Sequence, residues 1–201
     1  MAKIIYLISP NKIYKSFYSD LNLVLKSKLV KYFQLRLKKK KNSSLKELLI
    51  KIKRITQKNK VKLIINDNAK LVKKTNIDGC HLGQKDLDIK LARKLIKNKI
   101  IGVTCHNSLK LAKKAELNKA DYIAIGSFYK SKLKPNAIKT SLKTLRKIRK
   151  VTSLTIVGIG GINNKNFKKI LKFGANYIAI SSFIWNNPKL KPYEAIKKFK
   201  L

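Results

Sequence analysis

The chain has 201 residues, 44% of them hydrophobic, with 49 Lys+Arg against 9 Asp+Glu and a formal net charge of +40. That length suits one domain with a sizeable core, residues 1–201, and no apolar run approaches the roughly 18 residues of a membrane span. The start Met1-Ala2-Lys3 before Ile4–Ile8 is too short for a signal peptide's apolar region of about 7–15 residues, and Cys80 and Cys105 lack disulfide-framework or zinc spacing, so a cytoplasmic protein is expected.

The candidate strands, in chain order, are Ile4–Ile8, Tyr32–Arg36, Lys62–Asn66, Asp78–Leu82, Ile100–Thr104, Asp121–Gly126, Thr155–Ile159 and Tyr177–Ser181. Several are nearly continuous apolar runs, as parallel strands covered by helices should be. Amphipathic stretches separate them. Ser44-Leu45-Lys46-Glu47 reads as a capping box opening the second helix. Asp88, Asn107 or Ser108, Ser141, and Asn163 or Asn164 are candidate caps for later helices, and Gly174 closes the seventh. Eight β-then-α units imply an α/β fold, a single-domain (β/α)8 TIM barrel. A doubly wound open sheet is the runner-up, but it would normally carry a glycine fingerprint after the first strand, where Ser9-Pro10-Asn11 stands.

Lysine outnumbers arginine 44 to 5, and the lysines recur along every expected helix. Nucleic-acid readers favour arginine forks, so this distribution reads as a solvated surface that attracts anions.

In such a barrel the chemistry lies at the C-terminal ends of the strands. The acidic residues narrow the search because they are few. Glu47, Glu116 and Glu194 fall in expected helices, Asp20 and Asp88 at helix starts, and Asp78 and Asp121 before their strands, where a structural role is expected. Asp67 and Asp86 remain at the functional face, where two carboxylates on adjacent strands suit a hydrated magnesium ion holding a substrate phosphate. Arg36, Lys38 and Lys134 complete an anion site, Arg36 being expected buried at a strand end. Gly160-Gly161 before a helix N-terminus, with Ser181-Ser182 on the next strand, stand where barrels commonly hold phosphate. His81, in an apolar strand, reads as a hydrogen-bonded structural histidine, and neither it nor His106 belongs to a serine–histidine–carboxylate ordering.

Gln34-x-Arg36-x-Lys38, Asn66-Asp67, the segment Asp78 to Asp86, the Gly158–Ile162 turn and Gly174-Ala175-Asn176 together resemble the thiamine phosphate synthase family, in order from about residue 4 to residue 184. The resemblance implies an enzyme, a transferase barrel of thiamine biosynthesis. Its reaction joins 4-amino-2-methyl-5-hydroxymethylpyrimidine pyrophosphate to thiazole phosphate and releases pyrophosphate with Mg2+ as cofactor. It implies that Gln34, Arg36, Lys38, Asn66, Thr104 and Lys134 bind the pyrimidine pyrophosphate, with Arg36, Lys38 and Lys134 catalytic. It also implies that Asp67 and Asp86 bind the metal, and that Ser131, Gly161, Ser181 and Ser182 surround the thiazole phosphate. Thr104 stands where the family usually has serine. The loop Lys130-Ser131-Lys132-Leu133-Lys134 departs from the family's Pro-Thr-x-Thr-Lys pattern, with leucine replacing its second hydroxyl. Two alternatives accompany this reading. A thiazole tautomerase-like relative is expected to carry a histidine just after the sixth strand, where Ser127 stands. A non-catalytic anion- or nucleic-acid-binding barrel would use the basic surface. Small-molecule substrates are the expected partners, and an oligomer is compatible with the pattern.

Overall fold

In the computed structural model, which describes residues 3–37, 42–130 and 137–200, eight strands close into a parallel barrel in sequential order. They are β1 (Ile5–Ile8), β2 (Val30–Leu35), β3 (Lys62–Asn66), β4 (Gly79–Leu82), β5 (Ile100–His106), β6 (Tyr122–Gly126), β7 (Thr155–Ile159) and β8 (Tyr177–Ile180). Closure is made by β8 on β1, where Ile5 pairs with Ile178 and Leu7 with Ile180. The helices are α1 (Phe17–Leu25), α2 (Asn42–Lys58), α3 (Ala69–Thr75), α4 (Ile89–Ile96), α5 (Leu109–Leu117), α6 (Leu142–Val151), α7 (Phe167–Lys172), α8 (Ser182–Trp185) and α9 (Pro192–Lys197).

Each helix buries one stripe against the outside of the barrel. In α4 the buried positions are Ile89, Ala92 and Ile96, three and four residues apart, while lysines take the wet side. The caps follow side-chain chemistry. Asp88, Ser108 and Ser141 accept from the N–H groups of Lys90, Leu111 and Thr144, and Asn68 caps α3 in the same way. Gly174, at φ +112°, follows the end of α7 as expected. Two expected starts are displaced. Helix α2 begins at Asn42, before Ser44, and α7 begins only at Phe167, because Asn163 is used in a preceding turn where its Oδ1 accepts from Lys165. Strand β5 runs two residues past its expected end, to His106.

One device recurs at the N-terminal end of the barrel. The residue immediately before each of β4, β6 and β8 accepts the N–H of a residue on the neighbouring strand: Asp78 from Leu63 (2.8 Å), Asp121 from Ile101 (2.8 Å), Asn176 from Ile156 (2.9 Å). An arginine from the preceding even-numbered helix secures two of them. Arg93 on α4 donates to Asp121 and to the carbonyls of Lys97, Lys99 and Lys119, while Arg149 on α6 donates to Asn176 and the carbonyls of Thr152 and Leu154. The expected structural role of Asp78 and Asp121 is therefore observed.

Since Asn176 performs the task without charge, Asp121→Asn should be mild. The Arg93–Asp121 pair is half-exposed, so its ionic part contributes no more than about 1 kcal/mol. Asp121→Ala also strands the buried Ile101 N–H and should cost about 1–3 kcal/mol. Denaturant midpoints of the two variants check the order; equal losses would refute it.

Candidate active site

The C-terminal ends of all eight strands meet at one rim, and the described polar residues expected at strand ends lie there. On β2, Gln34 is only 3% exposed, and its Nε2 donates to the Tyr6 hydroxyl at 3.0 Å inside the lumen. Arg36 lies just beyond the end of β2 and is half-buried, not buried as its pattern implied. Its place at the rim is set by the backbone, since its N–H donates to Ser9 Oγ at 3.0 Å. Ser9 in turn donates its N–H to the Gln34 carbonyl and accepts at its own carbonyl from Ser181 Oγ at 3.1 Å, so β1 is tied to both neighbours. Lys38 lies outside the described residues.

Beside β2 stand the two carboxylates. Asp67 follows β3 in a left-handed conformation (φ +61°), held by its N–H donating to the His81 carbonyl on β4 at 2.8 Å. Its Oδ2 accepts from Asn66 Nδ2. Asp86 turns back on the loop after β4, its Oδ2 accepting from the Gly83 N–H at 2.6 Å. Gln84, between them, donates to the Thr104 carbonyl at 2.5 Å and ties this loop to β5. Among the described residues no group of three or more His, Cys, Asp or Glu comes together. Two carboxylates are nonetheless a fitting donor set for a hard cation that keeps most of its water. Both are fixed by a neighbouring N–H donor, which spares the ion the ordering of two mobile side chains.

Below the rim the lumen is filled by tyrosines that the sequence reading passed over. The ring of Tyr6 lies 5.5 Å from that of Tyr122 and 5.5 Å from that of Tyr32, which packs edge-on against Tyr177 at 5.4 Å. The Tyr6 and Tyr122 hydroxyls bond each other at 2.7 Å. Tyr122 also bonds His81 Nδ1 at 3.0 Å, and His81 Nε2 bonds Thr104 Oγ1 at 2.8 Å. Both ring nitrogens of His81 are thus engaged, in agreement with a structural histidine. Burial holds both phenols protonated, well above their ordinary range. Tyr6 shares one face of β1 with Ile8, and Gly102 faces Tyr122, where a Cβ would come within 1.8 Å of the ring.

The opposite wall is built of small residues. Phe128 and Tyr129 donate their N–H groups to Ile159 and Gly160, so the chain after β6 lies against the turn after β7. The glycines of that turn are required by this packing: a Cβ on Gly160 would meet Ser127 Oγ at 2.0 Å, and one on Gly161 would meet the Lys130 carbonyl at 2.4 Å. Gly160-Gly161 does not open a helix directly, since α7 begins six residues later. Ser181 and Ser182 stand at the start of the short α8, beside it. Ser131 and Lys134, with the rest of 131–136, lie outside the described residues. The segment that carries them is anchored at its flanks, where Ser127 N–H donates to Ile138 (2.7 Å), Thr140 N–H to Ser127 (3.0 Å), and Asn107 Nδ2 to Lys139 (3.1 Å).

A closed barrel with carboxylates and an arginine on one wall of its rim and glycines and serines on the other is a (β/α)8 enzyme architecture, in which ligand sites commonly lie at this face. Residues 5–184 match the family model described as thiamine monophosphate synthase. The chain is 59% identical to the thiamine-phosphate synthase of Pelagibacter ubique, over 98% of this chain and 96% of that one. It is 36% identical to that of Clostridium acetobutylicum, over 93% and 89%. Among solved structures it superposes on thiamine phosphate pyrophosphorylase from Pyrococcus furiosus with a TM-score of 0.87 and 26% identity, over 98% of this chain and 93% of that one. A 3-hexulose-6-phosphate synthase, at 15% identity and a TM-score of 0.68, shares the fold. The chain belongs to the thiamine monophosphate synthase family and is a transferase.

The two thiols have no part in this site. Burial pushes Cys80 and Cys105 up to about 12, so neither is a thiolate near neutrality and both should resist alkylation until the chain unfolds. Their unfolded value lies near 9.0. The stability this contributes is complete below pH 9 and is lost as pH rises from 9 toward 12, because there the unfolded chain releases protons that the folded one retains. Alkylation followed by mass spectrometry, with and without denaturant, checks the first point; rapid labelling of the native protein at pH 8 would refute it.

Proposed function

We propose that this enzyme joins 4-amino-2-methyl-5-hydroxymethylpyrimidine pyrophosphate to thiazole phosphate, giving thiamine phosphate and pyrophosphate, with Mg2+ as its cofactor. The observation that carries the reading is the division of the rim. Gln34, Arg36, Asn66, Asp67, Asp86 and Thr104 lie along the consecutive strands β2 to β5, while Gly161, Ser181 and Ser182 lie at β7 and β8. Such a division suits two phosphorylated substrates bound side by side.

In the reaction, the bond between the pyrimidine methylene carbon and the pyrophosphate oxygen breaks, and the electron pair leaves with pyrophosphate. The thiazole nitrogen then forms a C–N bond to that carbon. No proton has to be removed from either reacting atom, so the step calls for no histidine base. What the step requires is charge stabilisation at the leaving group. Arg36 would grip pyrophosphate oxygens with its planar fork, Lys38 and Lys134 would add point charges, and Gln34, Asn66 and Thr104 would orient the pyrimidine. Ser131, Gly161, Ser181 and Ser182 would hold the thiazole phosphate. Asp67 and Asp86 would hold the magnesium ion, which when bound supplies neutralising charge to the pyrophosphate. The evenly spread lysines (44 in the chain) would draw both anions toward the rim without forming a nucleic-acid interface. We place the enzyme in the cytoplasm, where phosphorylated intermediates of this kind are kept.

The test is direct: purified protein, both substrates and magnesium, with thiamine phosphate as the readout. Asp67→Asn and Asp86→Asn should each lower turnover by roughly 100-fold or more, unrelieved by excess pyrimidine substrate. Near-normal turnover in both would refute the metal assignment. Arg36→Lys keeps the charge but loses the fork, and should cut activity at an unchanged melting temperature. For the missing hydroxyl at Leu133, Leu133→Thr should lower the KM for thiazole phosphate several-fold, the worth of one neutral hydrogen bond, and leave that for the pyrimidine nearly unchanged. If neither the native chain nor Leu133→Thr forms product, the synthase reading is wrong.

A further inference from the structure

Five side chains from five strands form one unbroken hydrogen-bonded string across the lumen. It runs from Gln34 to Tyr6 (3.0 Å), to Tyr122 (2.7 Å), to His81 (3.0 Å) and to Thr104 (2.8 Å). Its middle is sealed, with Tyr6 2% and Tyr122 1% exposed. Its two ends, on β2 and β5, are residues assigned to the pyrimidine substrate.

The string has a direction, set by counting protons. Each phenol has one proton to give. Gln34 Nε2 can only donate, so the Tyr6 hydroxyl accepts from it and gives its proton to Tyr122. Tyr122 then gives its own to His81 Nδ1, which places the imidazole hydrogen on Nε2, donating to Thr104 Oγ1. Thr104 is left to donate its hydroxyl proton toward the rim. Every member is satisfied and none is ionised. The opposite direction is self-consistent only if the Gln34 amide turns over and both ends invert together. A string half in each direction strands a buried hydroxyl without a partner, so the ends are coupled.

We propose that Tyr6, Tyr122 and His81 act as positioning residues that lock the polarity of this site. They present the Gln34 amide oxygen as an acceptor at β2 and the Thr104 hydroxyl as a donor at β5. A ligand that matches offers a donor to the first and an acceptor to the second, as the amino group and an unprotonated ring nitrogen of a 4-aminopyrimidine do. The 4-oxo analogue, whose carbonyl replaces the amino donor and whose ring carries an N–H, presents the reverse order and is rejected. The identity of the ligand rests on the synthase reading; the polarity does not.

The test has a part that needs no substrate. Nitrogen-15 NMR of histidine-labelled protein reports two imidazoles, since the chain has 2 His, and His106→Asn assigns the remaining signals to His81. The lock requires His81 to be hydrogenated at Nε2 with Nδ1 bare, and Tyr122→Phe to erode that preference. A wild-type His81 hydrogenated at Nδ1 overturns the proposal. In turnover, Tyr6→Phe and Tyr122→Phe should each raise the KM for the pyrimidine pyrophosphate by up to roughly tenfold, the scale of one hydrogen bond, while the thiazole phosphate KM stays put. Discrimination against the 4-oxo analogue should narrow by a similar factor. Phe variants that fold and keep both the KM and the discrimination overturn the lock even if the tautomer is as required. A wild type that forms no thiamine phosphate removes the synthase reading instead, and the tautomer still decides the polarity.

Discussion

A closed eight-strand barrel encloses a lumen that must be filled, yet its mouth must stay polar enough to hold charged ligands, and this chain reconciles the two demands with buried tyrosines. A phenol has an apolar body that can fill the middle of a barrel and one hydroxyl that must find a partner. Tyr6 and Tyr122 satisfy each other, and their remaining capacity reaches Gln34 and His81. The filling of the barrel and the orientation of the rim are thus one structure. Gly102 belongs to it as well, since the ring of Tyr122 occupies the place of its missing side chain.

The other end of the barrel is secured by different means. There the register of the odd-numbered strands is pinned by Asp78, Asp121 and Asn176, and two of the five arginines are spent on carbonyls and acceptors around those sites. An arginine fork can serve several carbonyls at once where a lysine serves one. This explains why a lysine-dominated chain retains arginine at these two positions. The strand N–H groups and carbonyls around these sites are thereby satisfied within the protein.

The strands were legible because parallel strands covered by helices are apolar on both faces, and β3 and β7 have the very bounds expected from their runs of Ile, Leu and Val. Gln34, Asn66, Asp67 and Thr104 were legible because a polar residue near the end of such a run has to lie toward the rim, and Asp86 because it stands on the loop after β4. What the pattern concealed is the use of aromatic side chains inside the barrel. Tyrosine in an apolar run reads as filling, and only the positions of five strands around one axis bring its hydroxyl to a partner. Gly160-Gly161 precedes α7 by six residues rather than opening it, and the pair is also required by its contact with Ser127, Tyr129 and Lys130.

The scarcity of acid in the chain makes the placement of each carboxylate more telling. Asp20 accepts from Ser16, Asp88 caps α4, and Glu116 accepts from the Ser153 N–H and hydroxyl, which together hold its carboxyl below the usual range. Glu194 reaches back to the Lys191 N–H at the start of α9, and Asp78 and Asp121 secure the N-terminal end of the barrel. Six of the nine acids therefore have a structural task. Asp67 and Asp86 sit on adjacent loops, each with an oxygen held by a neighbouring N–H donor. Two fixed negative charges at the centre of a positive rim are unfavourable for binding a phosphate directly. They become favourable when a divalent cation lies between them and the phosphate, and that is the physical case for a magnesium-bound substrate at this wall of the barrel.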